Sequence, residues 1–491
     1  MRKLITASWI VAHENDRHVE LPDGAILVED DLIVEVGPQS RFADVVVDER
    51  IDLGHAVVTP GLIDLDALTD IDHLILDSWS SGEDSKSLTW SAEYFPRSRH
   101  VFSPEQLVQV REYALVQLAL HGITSYMPIA SEVHSSWAED FDTFAAMAAF
   151  SSKIGLRGFI GPSFRSAAPY INDEGQRRVR YIWERGPEGL AEAVRFLDHI
   201  DSLEDPLLTG VLLPCRIETI DPELLKEVAR ISEERNVLVR LHALQGVYER
   251  EWIIEHWEVT PLELLEKVGL LGERLIIPHG VVIDVHPEVF GEDRGDLAKI
   301  ASSGASIIHC ALTNARYGHN LHLLENYIAQ GVNICIGTDS FPPDIIRGID
   351  VGVQIAKAQS EDLGRNMLAE YFEAATLGGA KALHRPDLGR IEAGAQADIS
   401  AFSLADFRSG PTDDPLRTLV LNGTARDAVL TMVAGRTVMR DGRIDGIDLD
   451  EMRRTGQALF EQMRAAYAER DFRKQSEAEL FPPVFPISAH A

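Results

Sequence analysis

The chain has 491 residues, enough for one large α/β barrel and a smaller accessory domain. Apolar residues make up 45% and charged residues 25%, an ordinary globular composition that argues against extended disorder. Lys and Arg number 46 against 78 Asp and Glu, and the resulting net charge of −32 repels phosphate backbones and anionic lipid, which makes nucleic acid and membranes poor partners.

No stretch reaches the roughly 18 uninterrupted apolar residues that span a bilayer. The basic start meets His13, Glu14, Asp16 and Arg17 before an apolar signal segment is complete, so a cytoplasmic location is expected. The three cysteines, Cys215, Cys310 and Cys335, lie in apolar strand-like runs without the paired spacing of a zinc or redox motif, and read as core packing.

In chain order, residues 1–59 read as a β-meander of short alternating strands, with Gly24–Glu29 and Asp31–Gly37 the clearest. Apolar strands then recur with amphipathic helices between them, the signature of parallel βα units. The eight strands predicted are Val57–Leu65, Ile123–Ile129, Leu156–Ile160, Gly210–Leu213, Val237–Leu241, Leu275–Pro278, Ser306–Cys310 and Asn333–Gly337. Among the helices, Pro222–Arg235 has apolar residues at helical spacing, Asp221 as N-cap and proline at its first position.

Eight such units predict an α/β fold, a closed (β/α)8 TIM barrel over residues 60–385. The β character returns at Leu388–Phe402 and at Val429–Arg443. Together with residues 1–59, residues 386–446 are expected to form a small composite β-sandwich domain. Residues 447–491 read as a C-terminal helical extension.

A barrel presents its reactive groups just past each strand. Four consecutive strand ends carry His242, His279, His309 and Asp339. Imidazole nitrogen and carboxylate together suit zinc, iron, cobalt or manganese, and a metal so held lowers the pKa of a bound water. One such histidine alone reads as a satisfied core residue; four at consecutive strand ends point to a shared site.

These features resemble the amidohydrolase superfamily, and within it the aminohydrolases and chlorohydrolases typified by triazine hydrolases and cytosine-type deaminases. The resemblance rests on Val58–Asp64 opening the barrel, His121–Thr124 at the second strand, His242, His279–Gly280, His309–Cys310 with Thr313–Asn314, Gly337–Asp339 and the closing Gly389–Asp398. It implies a barrel enzyme with one divalent metal ion that His242, Asp339, His279 and Asp66 would hold, and with Asp339, His279 and His242 as the catalytic groups.

Two departures stand out. The family's His-X-His pair on the first strand is replaced by Asp66 and Leu68, and leucine cannot ligate. Asp70, Asp72 or His73 offers a replacement donor slightly downstream. Gln245 stands three residues after His242, where relatives often carry a Glu that shuttles protons; an amide cannot do so, but it can orient a substrate.

Further substrate-binding candidates are His309, Arg216 and Trp90. Arg165, Ser166, Arg216 and Glu218 sit where substrate contacts often lie but fit surface ion pairing better, and His319 and His322 could reach the mouth but fit solvated or capping positions better. The insertion from Leu74 to Phe102 carries Trp79, Trp90, Tyr94 and Phe95 and reads as a lid whose aromatics either stack on a flat substrate or pack on the barrel.

The function expected is a metal-dependent hydrolase of a C–N bond (amide, amidine, cyclic amide, or an amino- or chloro-heterocycle) in a small molecule, working as a homo-oligomer. The alternatives are a metal-independent enzyme on the same fold, catalysing ring opening, isomerisation or elimination, and a non-catalytic oligomeric scaffold.

Overall fold

The computed structural model describes residues 1–71, 89–129, 137–362 and 364–488. The chain opens on a long hairpin of β1 (Arg2–Glu14) and β2 (Arg17–Glu29), turned at Asn15 and Asp16 with φ of 52° and 61°. Asn and Asp tolerate this left-handed backbone, and a two-residue loop of that hand matches the twist of paired strands. The strands are longer than the short ones expected from apolar alternation, because polar pairs such as Glu14 with Arg17 carry the ladder past the core. β3 (Leu32–Pro38), β4 (Glu49–Asp52) and β5 (Ala56–Pro60) follow.

The single strand expected over Val57–Leu65 is two strands belonging to different sheets. β5 ends at Pro60 and β6 spans Leu62–Leu68. Gly61 permits the crossing, since a Cβ there would lie 2.1 Å from Thr124 Oγ1. The other parallel strands are β7 (Ile123–Ile129), β8 (Arg157–Ile160), β9 (Leu208–Gly210), β10 (Val239–Arg240), β11 (Leu275–Pro278), β12 (Ser306–His309) and β13 (Asn333–Ile336). Only β9 is displaced from its predicted span, Gly210–Leu213, and β10 is shorter than predicted.

These eight form two parallel four-stranded sheets, in the orders β9-β8-β7-β6 and β10-β11-β12-β13. Leu212 bridges Val239 in parallel at one junction. At the other, the amide of Asp339, just past β13, donates to the carbonyl of Asp66 on β6. Ile63, Leu65, Met127, Phe159, Leu238 and Ile276 make one apolar cluster drawn from both sheets. A larger cluster packs the outer strand residues, such as Val239 and Leu241, against the helices. The helix Pro222–Arg235 lies where expected, its Asp221 carboxylate accepting from the Leu224 amide at 2.9 Å.

β14 (Ile399–Ser403), β15 (Ala428–Val433) and β16 (Arg436–Arg440) return to the N-terminal strands. Both chain ends thus share one eight-stranded sheet, ordered β16-β15-β14-β5-β1-β2-β3 with β4 beside β1. The helix Leu449–Ala466 sets Leu459 and Met463 against Leu107 and Val110 of the helix Pro104–Leu120. Among the described residues, no helix is long and apolar enough to cross a membrane.

Candidate metal centre

Asp66 comes from β6, His242 from the turn after β10, His279 from the turn after β11 and Asp339 from the turn after β13. Asp66, His242 and His279 offer ligand atoms within 4.8 Å of one another, and so do His279, Cys310 and Asp339. Cys310 was read as core packing; it is buried, yet its Sγ also lies 3.7 Å from Asp66 Oδ2. His279 and Asp339 hold φ of 71° and 40°, a backbone region unfavourable for side chains with a Cβ, and such strain persists where surroundings over-determine it. At Asp339 the surroundings include Asp64, which accepts from the Thr338 amide at 3.0 Å and the Thr338 hydroxyl at 2.6 Å, and Thr313, whose hydroxyl donates to the Asp339 carbonyl at 2.7 Å.

The tautomers follow from the partners. His242 Nδ1 lies 3.1 Å from the Cys215 carbonyl, which can only accept, so the proton sits on Nδ1 and the Nε2 lone pair points inward. His279 Nδ1 lies 3.0 Å from Asn314 Oδ1, with the same consequence. His242 Nε2 then faces Asp66 Oδ2 at 3.5 Å, and His279 Nε2 faces Asp339 Oδ2 at 3.8 Å. Burial lowers both imidazole pKa values, that of His279 to about 3, and neither Nε2 has a hydrogen-bond partner among the described residues. Burial alone would push the Asp66 carboxyl up, but the Arg240 guanidinium beside it helps to hold it below the usual carboxylate range. Two imidazole lone pairs and two carboxylates facing inward repel one another unless a cation lies between them, and this N/O donor set fits a divalent ion.

A cation of the chain's own is already next to Asp66. Arg240, only 3% exposed, places Nη1 3.2 Å from Asp66 Oδ1 and donates to the Met127 carbonyl at 3.4 Å. Sequence reasoning gave Arg240 no role. The signal was its position two residues before His242 on a strand, which puts both side chains on one face.

The profile of the amidohydrolase family matches residues 57–438. The chain belongs to the amidohydrolase family. It is 26% identical over 453 residues to the 5-methylthioadenosine/S-adenosylhomocysteine deaminase of Pyrococcus horikoshii, covering 91% of this chain and 97% of the relative. With the 8-oxoguanine deaminase of Pseudomonas aeruginosa it shares 23% identity, over 87% of this chain and 92% of the other. Among solved structures, a zinc-bound adenosine deaminase from Xanthomonas campestris superposes with a TM-score of 0.75 at 21% identity, covering 94% and 98% of the two chains. Atrazine chlorohydrolase from Arthrobacter aurescens with zinc gives 0.74 at 21% identity, covering 93% and 100%.

In this amidohydrolase the other candidate residues are distributed unevenly. Arg216 pairs with His242 through a parallel bridge, and its Nη1 donates to Gln245 Oε1. Glu249, not foreseen, fixes this turn by accepting from the amides of Leu244 and Gln245 at 2.6 and 3.2 Å, while burial raises its pKa to about 8. His309 turns to Tyr371, Nε2 to Oη 3.2 Å, and lines a small cavity with Thr338, Ser340 and Asp344.

Trp90 lies in an aromatic cluster with Tyr94, Phe95 and Trp137, and the Arg165 guanidinium sits 5.2 Å from the ring centroids of both Trp90 and Trp137. Trp90, Tyr94 and Phe95 are thus buried against one another, and Trp79 lies outside the described residues. Arg165, Ser166 and Glu218, for which surface pairing was the competing reading, are all buried, because the loops after the strands fold back over them. Asp70 faces Arg111 at 3.2 Å, which occupies it away from the centre; Asp72 and His73 lie outside the described residues.

Proposed function

We propose that this amidohydrolase hydrolyses a C–N bond, or a comparable bond from a ring carbon to a leaving group, in a small cyclic or amide-like molecule. One divalent metal ion would be held by His242, His279, Asp339 and Asp66. The observation that carries this reading is the pair of buried imidazole nitrogens whose lone pairs face two carboxylates. When bound, such an ion supplies Lewis acidity and lowers the pKa of a water enough for deprotonation near neutrality.

The chain's own groups divide the remaining work. Asp339 is 16% exposed and so is the most open of the four, which suits it to accept the proton of the attacking water. His279 stands among both the expected ligands and the expected catalytic groups. With Nδ1–H committed to Asn314, its Nε2 has no proton to donate, and the ligand role suits it better. Gln245, its Oε1 occupied by Arg216, keeps its NH2 group for orienting the substrate. No carboxylic acid stands at that position to protonate an amine leaving group.

Relatives that deaminate 5-methylthioadenosine, S-adenosylhomocysteine and 8-oxoguanine, and a neighbour that dechlorinates atrazine, support a substrate screen that begins with amino- and chloro-substituted nitrogen heterocycles. The test is elemental analysis of protein purified without added metal or chelator, for wild type, His242→Ala and Asp339→Ala. About one equivalent of a transition metal in wild type and its loss in both variants is the expected result. Wild type that carries none, and takes up none when zinc, cobalt or manganese is supplied, overturns the reading. The metal-independent alternative then gains, and Arg240 favours it by already neutralising Asp66.

We also propose that the eight parallel strands close as a (β/α)8 barrel over residues 60–385, with residues 1–59 and 386–446 as a composite β-sandwich and 447–491 as a helical extension. The Leu212–Val239 bridge and the Asp339–Asp66 bond support closure.

A further inference from the structure

We propose that Arg240 is a positioning residue that acts through Asp66: it fixes one carboxylate oxygen and, as a resident cation, weakens divalent-metal binding at the centre. The proposal rests on the metal-dependent reading above. Its grounds are geometric. Arg240 Nη1 takes Asp66 Oδ1 at 3.2 Å, which leaves Oδ2 to face His242 Nε2 at 3.5 Å. The same Nη1 donates to the Met127 carbonyl at 3.4 Å, and both Arg240 and Asp66 are buried. With neutral histidines, Arg240 offsets one of the two negative charges that Asp66 and Asp339 bring to the centre; among the other described residues, Asp64 and Arg216 act on it with opposite signs. Like charges repel strongly where water is scarce, so an incoming ion meets opposition from Arg240 as well as attraction from the carboxylates.

A purely structural Arg240 makes the opposite forecast. If it only held Asp66 in place, removing it would loosen a ligand and weaken the metal; if it opposes the ion, removing its charge tightens binding. The two accounts differ in sign.

The experiment is titration of the metal-stripped full chain with zinc, and with cobalt followed by its visible absorption, for wild type, Arg240→Gln and Arg240→Lys. Glutamine retains a donor without the charge, so Arg240→Gln is expected to bind at least about tenfold more tightly than wild type, and Arg240→Lys, which restores the charge, to stay within roughly threefold of it. Should Arg240→Gln not fold, Arg240→Met, which fills the space without a polar head, is judged by the same criteria. A folded Arg240→Gln or Arg240→Met protein that binds no more tightly than wild type overturns the proposal and leaves the metal-dependent reading standing. Metal uptake by the variant alone supports the proposal and overturns that reading for wild type. Absence of uptake by any form overturns both.

Discussion

The amide of Asp339 donates to the carbonyl of Asp66 across 2.8 Å, so a ligand candidate on the first parallel strand and one past the last are joined through their own backbones. The two carboxylates therefore move together, and whatever disturbs the Thr338–Asp339 turn reaches Asp66.

Asp64 is the group that holds this turn, with bonds from the Thr338 amide and hydroxyl and from the Asp66 amide at 3.2 Å. Asp64→Ala leaves three buried donors without their acceptor. We expect a loss of about 3 kcal/mol in urea-denaturation stability and at least a tenfold fall in turnover in the folded fraction. Unchanged stability would show that water or another acceptor takes the carboxylate's place.

The Asn314 side chain orients His279 through its Oδ1. Partners of this kind usually set metal affinity by about 10- to 100-fold, and Asn314→Leu should weaken zinc binding by that range in a competition titration against a coloured chelator. An affinity equal to wild type would remove Asn314 from the account of the centre.

The Glu139 carboxylate is buried against Arg111, which donates to it at 3.2 Å, and accepts from the Ser163 amide at 3.0 Å. Burial raises its pKa from 4.5 to about 7, against the opposing pull of Arg111. The folded state thus binds this proton more tightly than the unfolded chain. Its contribution is full below about pH 4.5 and is lost as pH rises through 7, a drop of order 3 kcal/mol. Stability measured across this window should fall less steeply with pH in Glu139→Gln than in wild type; equal slopes would show that Glu139 is already ionised throughout.

Gln245→Glu replaces the amide that Arg216 engages with a group able to carry a proton. On an amine-bearing heterocycle, the variant is expected to turn over at least about tenfold faster than wild type, since general acid catalysis contributes on that scale and above. A substrate whose leaving group departs without a proton should respond much less. Equal effects on both would mean that Gln245 acts by shape or contact alone.

Much of the fold was legible because its signals are local. Apolar runs of four to seven residues separated by helical periodicity located the parallel strands, and Asp221 followed by Pro222 marked a helix start that the structure reproduces. The division of Val57–Leu65 was not legible, since the need for a glycine at position 61 arises from Thr124, more than sixty residues away.

At the centre, the sequence identified His242, His279 and Asp339 through their places after strands, and Asp66 through its place in a known pattern. Arg240 escaped notice because a charged residue in a strand reads as solvent-facing until its carboxylate partner is located on another strand. The Trp90 environment was equally hidden, since it depends on Arg165 and Trp137 from distant segments.

The sheet shared by both chain ends also sets an order of events during synthesis. β5 pairs with β1 on one edge and with β14 on the other, and since β14 begins at Ile399 that second edge of Val57 and Val58 stays open until the ribosome has read more than 300 further codons. At translation rates of about 5–20 residues per second, that interval is on the order of half a minute. The nascent chain must keep this edge from other chains for that time, and a chaperone that binds extended apolar segments would find its substrate here, at the opposite end of the gene from the segment that finally releases it.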